Sequence, residues 1–279
     1  MRRVISLLVV LIGIGIVLYP VATSTWSNIQ QQEEARSYSA DADARTDELL
    51  AENLAAARAW NATHPVRPLS DPWEAGNPDT DPEYREYLGQ LALNDIMGRI
   101  VIPSINVDLP IRHGSGEDSL AHGVGHLYGT SLPVGGEGTH ASLTGHTGMT
   151  SATMFDNLTD VQVGARIILD VSGEQMVYEV HATEVVLPDQ TESLAAQPGE
   201  DLLTLITCTP YGSNTHRLLV HAHRVEAQSG DLTTLEERHV PWQWWMTAVC
   251  VVVAILLLWL IWEVARSVRG RGAHRHRAG

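Results

Sequence analysis

The sequence predicts a mostly β exterior domain, a closed barrel or sandwich of about 130 residues, held between two membrane helices. Residues 97–226 break into short apolar runs separated by turn residues, the pattern of many short strands. Two other stretches, from about Val4 to Ala22 and from about Trp242 to Val264, are apolar throughout. Each is long enough to cross a hydrocarbon core of ~30 Å as a helix. Charge is partitioned as well: residues 24–240 hold 11 arginines against 32 Asp and Glu, a balance of −21 in a chain whose net charge is −15.

The N-terminal segment, 1–23, opens Met1-Arg2-Arg3 and then runs apolar. A cleaved signal peptide is the competing reading. The apolar stretch is long for a signal core, and Val21-Ala22-Thr23 is a weak cleavage pattern, so retention as an anchor is the expectation. The C-terminal span, 242–264, carries Trp242, Trp244, Trp245, Trp259 and Trp262 near its ends, where tryptophan favours the headgroup region. The basic tail 265–279 follows with Arg266, Arg269, Arg271, Arg275 and Arg277. Arginine flanks stay on the cytoplasmic side. Both termini are therefore expected inside the cell membrane and everything between the spans outside, with the tail meeting anionic lipid. His274 and His276 read as part of that solvated tail.

Residues 24–64 are rich in Ala, Glu, Gln and Asp, with Leu49, Leu50, Leu54 and Ala57 near helical spacing, and predict one or two helices. Asp41, Asp43 and Asp47 lack the glycine and terminal glutamate of a calcium loop and read as a solvated helix face. Segment 65–96 begins with so many Pro, Asp, Gly and Asn that no regular element is expected over residues 65–81. Trp73 stands out there, because a large aromatic in a polar loop needs apolar surface to cover.

Within 97–226, Gly98–Pro103 and Val107–Ile111 predict short strands. Arg166–Val171 and Met176–Val180 flank Ser172-Gly173-Glu174-Gln175 as a hairpin, and Leu202–Thr207 and Leu218–Val225 complete the set. Residues 227–241 link this domain to the second span. An acidic exterior argues against nucleic acid as a partner. The 18 basic residues are all arginine, so no lysine can serve as Schiff base, general base or amine acceptor.

Chemistry centres on Cys208. The only other cysteine, Cys250, lies inside the second apolar span, leaving Cys208 without a disulfide partner in an oxidising compartment. Such a thiol is either buried and inert or kept because it reacts. A thiolate needs a base or a nearby cation. Among 13 histidines, His146 has the best context: it follows the apolar-polar run Ala141-Ser142-Leu143-Thr144 in a glycine-flanked turn where a strand would end. His140 falls at the other end of that strand. His221 and His223 alternate on one strand face, and a metal reading for them lacks a third ligand. Arg217 is a fixed cation with a planar five-donor fork, able to hold a carbonyl oxygen as charge develops on it.

Together these residues reach a family. Thr204-Leu205-Ile206-Thr207-Cys208 and Asn214-Thr215-His216-Arg217-Leu218-Leu219-Val220 resemble the signature of the sortases, Gram-positive cysteine transpeptidases. Leu143-Thr144-Gly145-His146-Thr147-Gly148-Met149 resembles their histidine segment, and Gly123–Pro133 the loop before it. The resemblance covers about Leu69 to Val225. It implies an eight-stranded sortase β-barrel with N-terminal helices and a lid loop, flanked by the two transmembrane helices. Cys208 is implied as nucleophile on the Thr–Gly carbonyl of an LPXTG-type sorting signal, and His146 as the group that protonates the leaving amine and deprotonates the incoming one. Arg217 is implied as oxyanion and substrate holder, Thr207 as lining the site, and no metal or organic cofactor as required.

The second span and Asp71-Pro72-Trp73 are similar to features of class C sortases, which polymerise pilins. There the lid acid pairs with the catalytic arginine and the lid aromatic covers the cysteine, so Asp71 and Trp73 are implied as lid residues. The implied partners are pilin subunits bearing a C-terminal sorting signal and an acceptor lysine. One departure is Val220-His221-Ala222-His223-Arg224 where relatives often carry Val-Arg-Gly-X-Arg, a loss of positive charge that bears on substrate preference. A sortase that attaches proteins to peptidoglycan is the alternative enzyme reading. A two-span scaffold with an inert Cys208 is the non-enzymatic one.

Overall fold

A computed structural model describes residues 2–66, 81–228, 230–237 and 240–275. Asp71 and Trp73 lie outside the described residues. The chain divides into two compact units, Met1–Thr25 with Trp242–Gly279, and Trp26–Pro241.

The first unit contains the apolar part of helix α1 (Arg2–Asp43) and helix α5 (Trp244–Arg275). Both are long and apolar enough to cross a membrane. Ile12, Ile16, Leu258 and Ile261 are each more than 60% exposed. A helix that is apolar all round and leaves such side chains uncovered suits a lipid solvent. Helix α1 continues without a break past residue 23.

The second unit is built around a closed barrel of eight strands: β1 (Gly98–Ile102), β2 (Val107–His113), β3 (Val124–His126), β4 (Thr139–Thr144), β5 (Arg166–Val171), β6 (Glu174–Val186), β7 (Asp201–Thr209) and β8 (His216–Val225). The order around the barrel is β1-β2-β3-β4-β7-β8-β6-β5. Each strand anticipated in the sequence is present. The hairpin turn is Ser172-Gly173 alone, both residues at positive φ (48° and 77°), so β6 begins at Glu174. Paired positive φ values suit the twist of a tight antiparallel hairpin. Strand β6 also runs to Val186, six residues past its apolar core, through a register shift between Val180 and Ala182. Its outer half alternates exposed and half-buried residues, which masks the strand signal.

Alternation defines two faces on every strand. Ala141, Leu143, Leu203, Leu205, Leu218, Val220 and Ala222 point inward to the main core. Ile206 and Leu219 point outward and pack with Leu127 and Leu194 in a satellite cluster. Helix α2 (Asp47–Thr63), started by the Thr46 hydroxyl accepting from Leu49 N, adds Leu54 and Ala57 to the main core. Helix α3 (Pro82–Leu88) adds Tyr87, and helix α4 (Glu117–His122) leads into β3.

Two buried polar groups brace the frame. Arg99 on β1 donates from Nε and Nη2 to the two carboxylate oxygens of Asp108 on β2, at 2.7 and 2.9 Å. The fully buried His126 ring lies between the Tyr87 hydroxyl, 2.9 Å from Nδ1, and the Ser131 carbonyl, 2.8 Å from Nε2. Tyr87 in turn accepts from Gly114 N at 2.9 Å. Donor counting assigns His126 as the neutral Nε2–H tautomer, with Tyr87 donating to Nδ1. Burial holds its pKa down at about 4.

Candidate active site

Strands β4, β7 and β8 are consecutive around the barrel and bring together the three residues singled out in the sequence. β4 and β7 run parallel, with Thr144 paired to Ile206. The contact persists past the strand, since Gly145 N donates to Ile206 O at 3.0 Å. Carrying the same register two residues further sets His146 at the level of Cys208. β7 and β8 run antiparallel, and Cys208 pairs directly with Arg217. Paired residues in such a ladder have Cα atoms roughly 5 Å apart. His146, Cys208 and Arg217 therefore stand side by side at one end of three neighbouring strands. Sequence distance had concealed this, because parallel pairing joins segments 62 residues apart.

Face alternation adds the direction. Cys208 and Arg217 belong to the outward set of Ile206 and Leu219, so their side chains leave the barrel on its outer surface. Cys208 is half-buried and Arg217 is 8% exposed. The guanidinium Nη1 donates to the carbonyls of Asn214 and His216, at 3.1 and 3.2 Å, which fixes the base of the fork at the β7–β8 turn. Thr207 belongs to the inward set. It is buried, and its hydroxyl donates to Gly145 O at 2.8 Å. It thus meets the site through the backbone that carries His146.

The His146 turn is held from three sides. Phe155 N donates to His146 O at 3.0 Å. The Asp156 carboxylate accepts from Gly148 N at 2.7 Å and from the Thr147 hydroxyl at 3.0 Å. Gly145 packs on the Phe155 ring so closely that a Cβ would come within 2.7 Å of it. Phe155 and Asp156 were not anticipated as part of the site, and the one available signal was that Phe155 is the chain's sole phenylalanine. Burial lowers the His146 pKa, with the Glu117 carboxylate pulling the other way. The ring is therefore mainly neutral at pH 7. Among the described residues no three His, Cys, Asp or Glu side chains are arranged to hold a metal ion.

Comparison with known proteins agrees with this fold. A sortase domain model matches residues 100–225. The solved sortase C-1 of Actinomyces oris is 49% identical, over 64% of this chain and 99% of that one, with a TM-score of 0.63. Sortase C of Streptococcus pneumoniae, a structure that bears on pilin substrate specificity, is 34% identical over 70% of this chain and 97% of its own, with a TM-score of 0.64. Among curated proteins, sortase A of Streptococcus agalactiae serotype III is 29% identical over 145 residues, 51% of this chain and 57% of that protein. The chain spans about three fifths of the length of the curated relatives it matches. A closed eight-stranded barrel with the thiol, guanidinium and imidazole at one strand end, and near-complete coverage of a sortase at 49% identity, place this chain in the sortase family.

Proposed function

We propose that this protein is a class C sortase that joins pilin subunits covalently at the outer face of a Gram-positive membrane. The observation that carries the reading is the direct pairing of Cys208 with Arg217, with His146 at the same level on the next strand. In this reading residues 97–226 are the catalytic domain, and the terminal spans anchor it with both ends in the cytoplasm.

The steps balance with these side chains alone. The Cys208 thiol gives its proton to neutral His146, and the thiolate attacks the Thr–Gly carbonyl carbon of an LPXTG-type signal. Arg217 donates to the oxygen that becomes negative. Collapse breaks the Thr–Gly bond, His146 returns its proton to the departing glycine amine, and a thioacyl enzyme remains. A pilin lysine amine then attacks that carbonyl and loses a proton to His146. Cys208 leaves as thiolate and takes the proton back, and an isopeptide bond has formed. The Streptococcus pneumoniae neighbour's link to pilin substrates supports the choice of acceptor.

Asp71 and Trp73 are proposed as the lid, the acid pairing with Arg217 and the indole covering Cys208. Substituting both should speed Cys208 labelling by a thiol reagent in the full-length protein, and equal rates would remove the lid. The function itself is tested by Cys208→Ala in a host without another sortase. High-molecular-weight pilin ladders should vanish. Ladders that persist exclude the transpeptidase reading, and surface protein attached to peptidoglycan in place of ladders would shift the acceptor.

A further inference from the structure

Outside the site, the outer face of β4, β7, β8 and β6 carries a continuous polar relay. His140 Nδ1 lies 3.0 Å from Ala195 O and its Nε2 lies 2.7 Å from the Thr204 hydroxyl. That hydroxyl is 2.8 Å from His221 Nδ1, and His221 Nε2 is 3.0 Å from the Glu184 carboxylate. Glu184 also accepts from Ser193. These side chains line a cleft of about 380 Å³ together with His181.

Both ends of the relay grip the same segment, the connection between β6 and β7. Its 3₁₀ turn is Glu192–Leu194. Ser193 is held by Glu184 and Ala195 by His140, while Leu194 between them packs on Ile206 and Leu219. Ile206 and Leu219 are paired to each other and lie on the same outward face as Cys208 and Arg217, one step along the ladder. Thr204 lies four residues before Cys208 on that face, roughly 13 Å along the strand.

The geometry points to a clamp: Glu184, His221, Thr204 and His140 are positioning residues that fasten Ser193-Leu194-Ala195 over the Ile206–Leu219 rung, next along the ladder to Cys208 and Arg217, and so shape the groove through which a peptide substrate reaches the thiol. None of the four touches the reacting atoms. The clamp's effect therefore falls on substrate engagement and not on bond making.

Hydrogen-bond accounting shows why these residue types are used. Ala195 O accepts only, so His140 Nδ1 carries a proton. Thr204 has one proton to give, and Glu184 accepts only. The Thr204 hydroxyl gives its one proton to one of the two ring nitrogens that face it and accepts from the other, which ties the two rings together. Burial lowers the His140 pKa, and the nearby His221 and His181 add to it. The other groups facing the relay are His223, 3.4 Å from His181, and Glu200, whose charge acts on His181.

The clamp has a structural and a kinetic consequence, and only the kinetic one rests on the proposed sortase activity. The test uses the full chain in detergent micelles with Thr204→Val, Glu184→Gln and the rescue variant Thr204→Ser. Amide hydrogen exchange over residues 187–200 should quicken about tenfold in the Val and Gln variants and stay as in wild type in the Ser variant. Unchanged exchange overturns the clamp whether or not the protein is a sortase. For an LPXTG peptide, KM should rise about tenfold in Val and Gln with kcat within about twofold, and Ser should restore KM. Faster exchange with KM unchanged overturns the positioning role. Wild-type protein that leaves the peptide uncut, with exchange behaving as expected, sinks the proposed activity and the kinetic role but not the clamp.

Discussion

Cys208 and Arg217 face each other across the last rungs of the β7–β8 ladder, on the outward face of the barrel. The guanidinium is anchored by the Asn214 and His216 carbonyls, and in the proposed mechanism its fork holds the carbonyl oxygen that Cys208 attacks. Arg217→Ala should lower kcat/KM for a sorting-signal peptide by about 10²–10³, the loss typical of one oxyanion donor. Arg217→Lys keeps the charge but loses the planar fork, and should still lose at least roughly tenfold. Thiol titration of Cys208 in each variant separates this from a damaged site. Full activity in Arg217→Lys would show that charge alone suffices.

In the proposed mechanism His146 sets the acid limb. Its pKa lies below the ordinary 6.5 because burial disfavours the charged ring. The mechanism needs the neutral ring to receive the thiol proton. Activity should therefore hold as pH falls to 6.5 and drop only below it. The kcat/KM profile of the full chain measures this directly. Glu117 pulls the pKa upward, so Glu117→Gln should move the acid limb to still lower pH. A limb that stays in place or moves up would remove Glu117 from the electrostatics of the site.

The turn that carries His146 depends on having no side chain at Gly145. A methyl there meets three Phe155 ring atoms at 2.7–3.1 Å, and Phe155 is fully buried, so the ring has nowhere to go. Gly145→Ala should cost about 1–3 kcal/mol, as overpacking does. It should also lower kcat more than Gly116→Ala, where φ is −69° and nothing lies within 4 Å of an added Cβ. Urea unfolding and peptide cleavage on both variants give the comparison.

The strands and the three residues Cys208, His146 and Arg217 were legible because each sits in a short local pattern. Alternating apolar runs mark the strands, and glycines bracket the histidine turn. Registers between strands were not legible, since parallel pairing of β4 with β7 depends on the closed topology. The relay was invisible for the same reason: His140, Glu184, Thr204 and His221 come from four strands and share no local motif. The alternation of His221 and His223 on one strand face suggests a metal pair, whereas the His221 ring nitrogens are engaged by Thr204 and Glu184. The Thr207 hydroxyl faces inward because alternation puts it opposite Cys208, which adjacency in sequence disguises.

His126 makes the fold sensitive to acid. Its folded pKa is about 4 against an ordinary 6.5. Between those values the unfolded chain binds a proton that the folded chain refuses, so stability is complete above pH 6.5 and lost as pH falls. This ring alone should cost about 2 kcal/mol by pH 5 and about 3 kcal/mol by pH 4. Protonation at Nδ1 also removes the nearer acceptor of the buried Tyr87 hydroxyl, leaving it the His126 carbonyl at 3.3 Å. His113 and His140 are lowered by burial and act in the same direction. Asp156 and Asp170, raised by burial, act in the opposite one. Comparing wild type with His126→Asn isolates the one ring. The variant should be less stable at pH 7, because Tyr87 loses its nearer acceptor, yet lose about 2 kcal/mol less than wild type between pH 7 and pH 5. Urea midpoints at the two pH values decide it, and equal losses in both proteins would assign the acid sensitivity elsewhere.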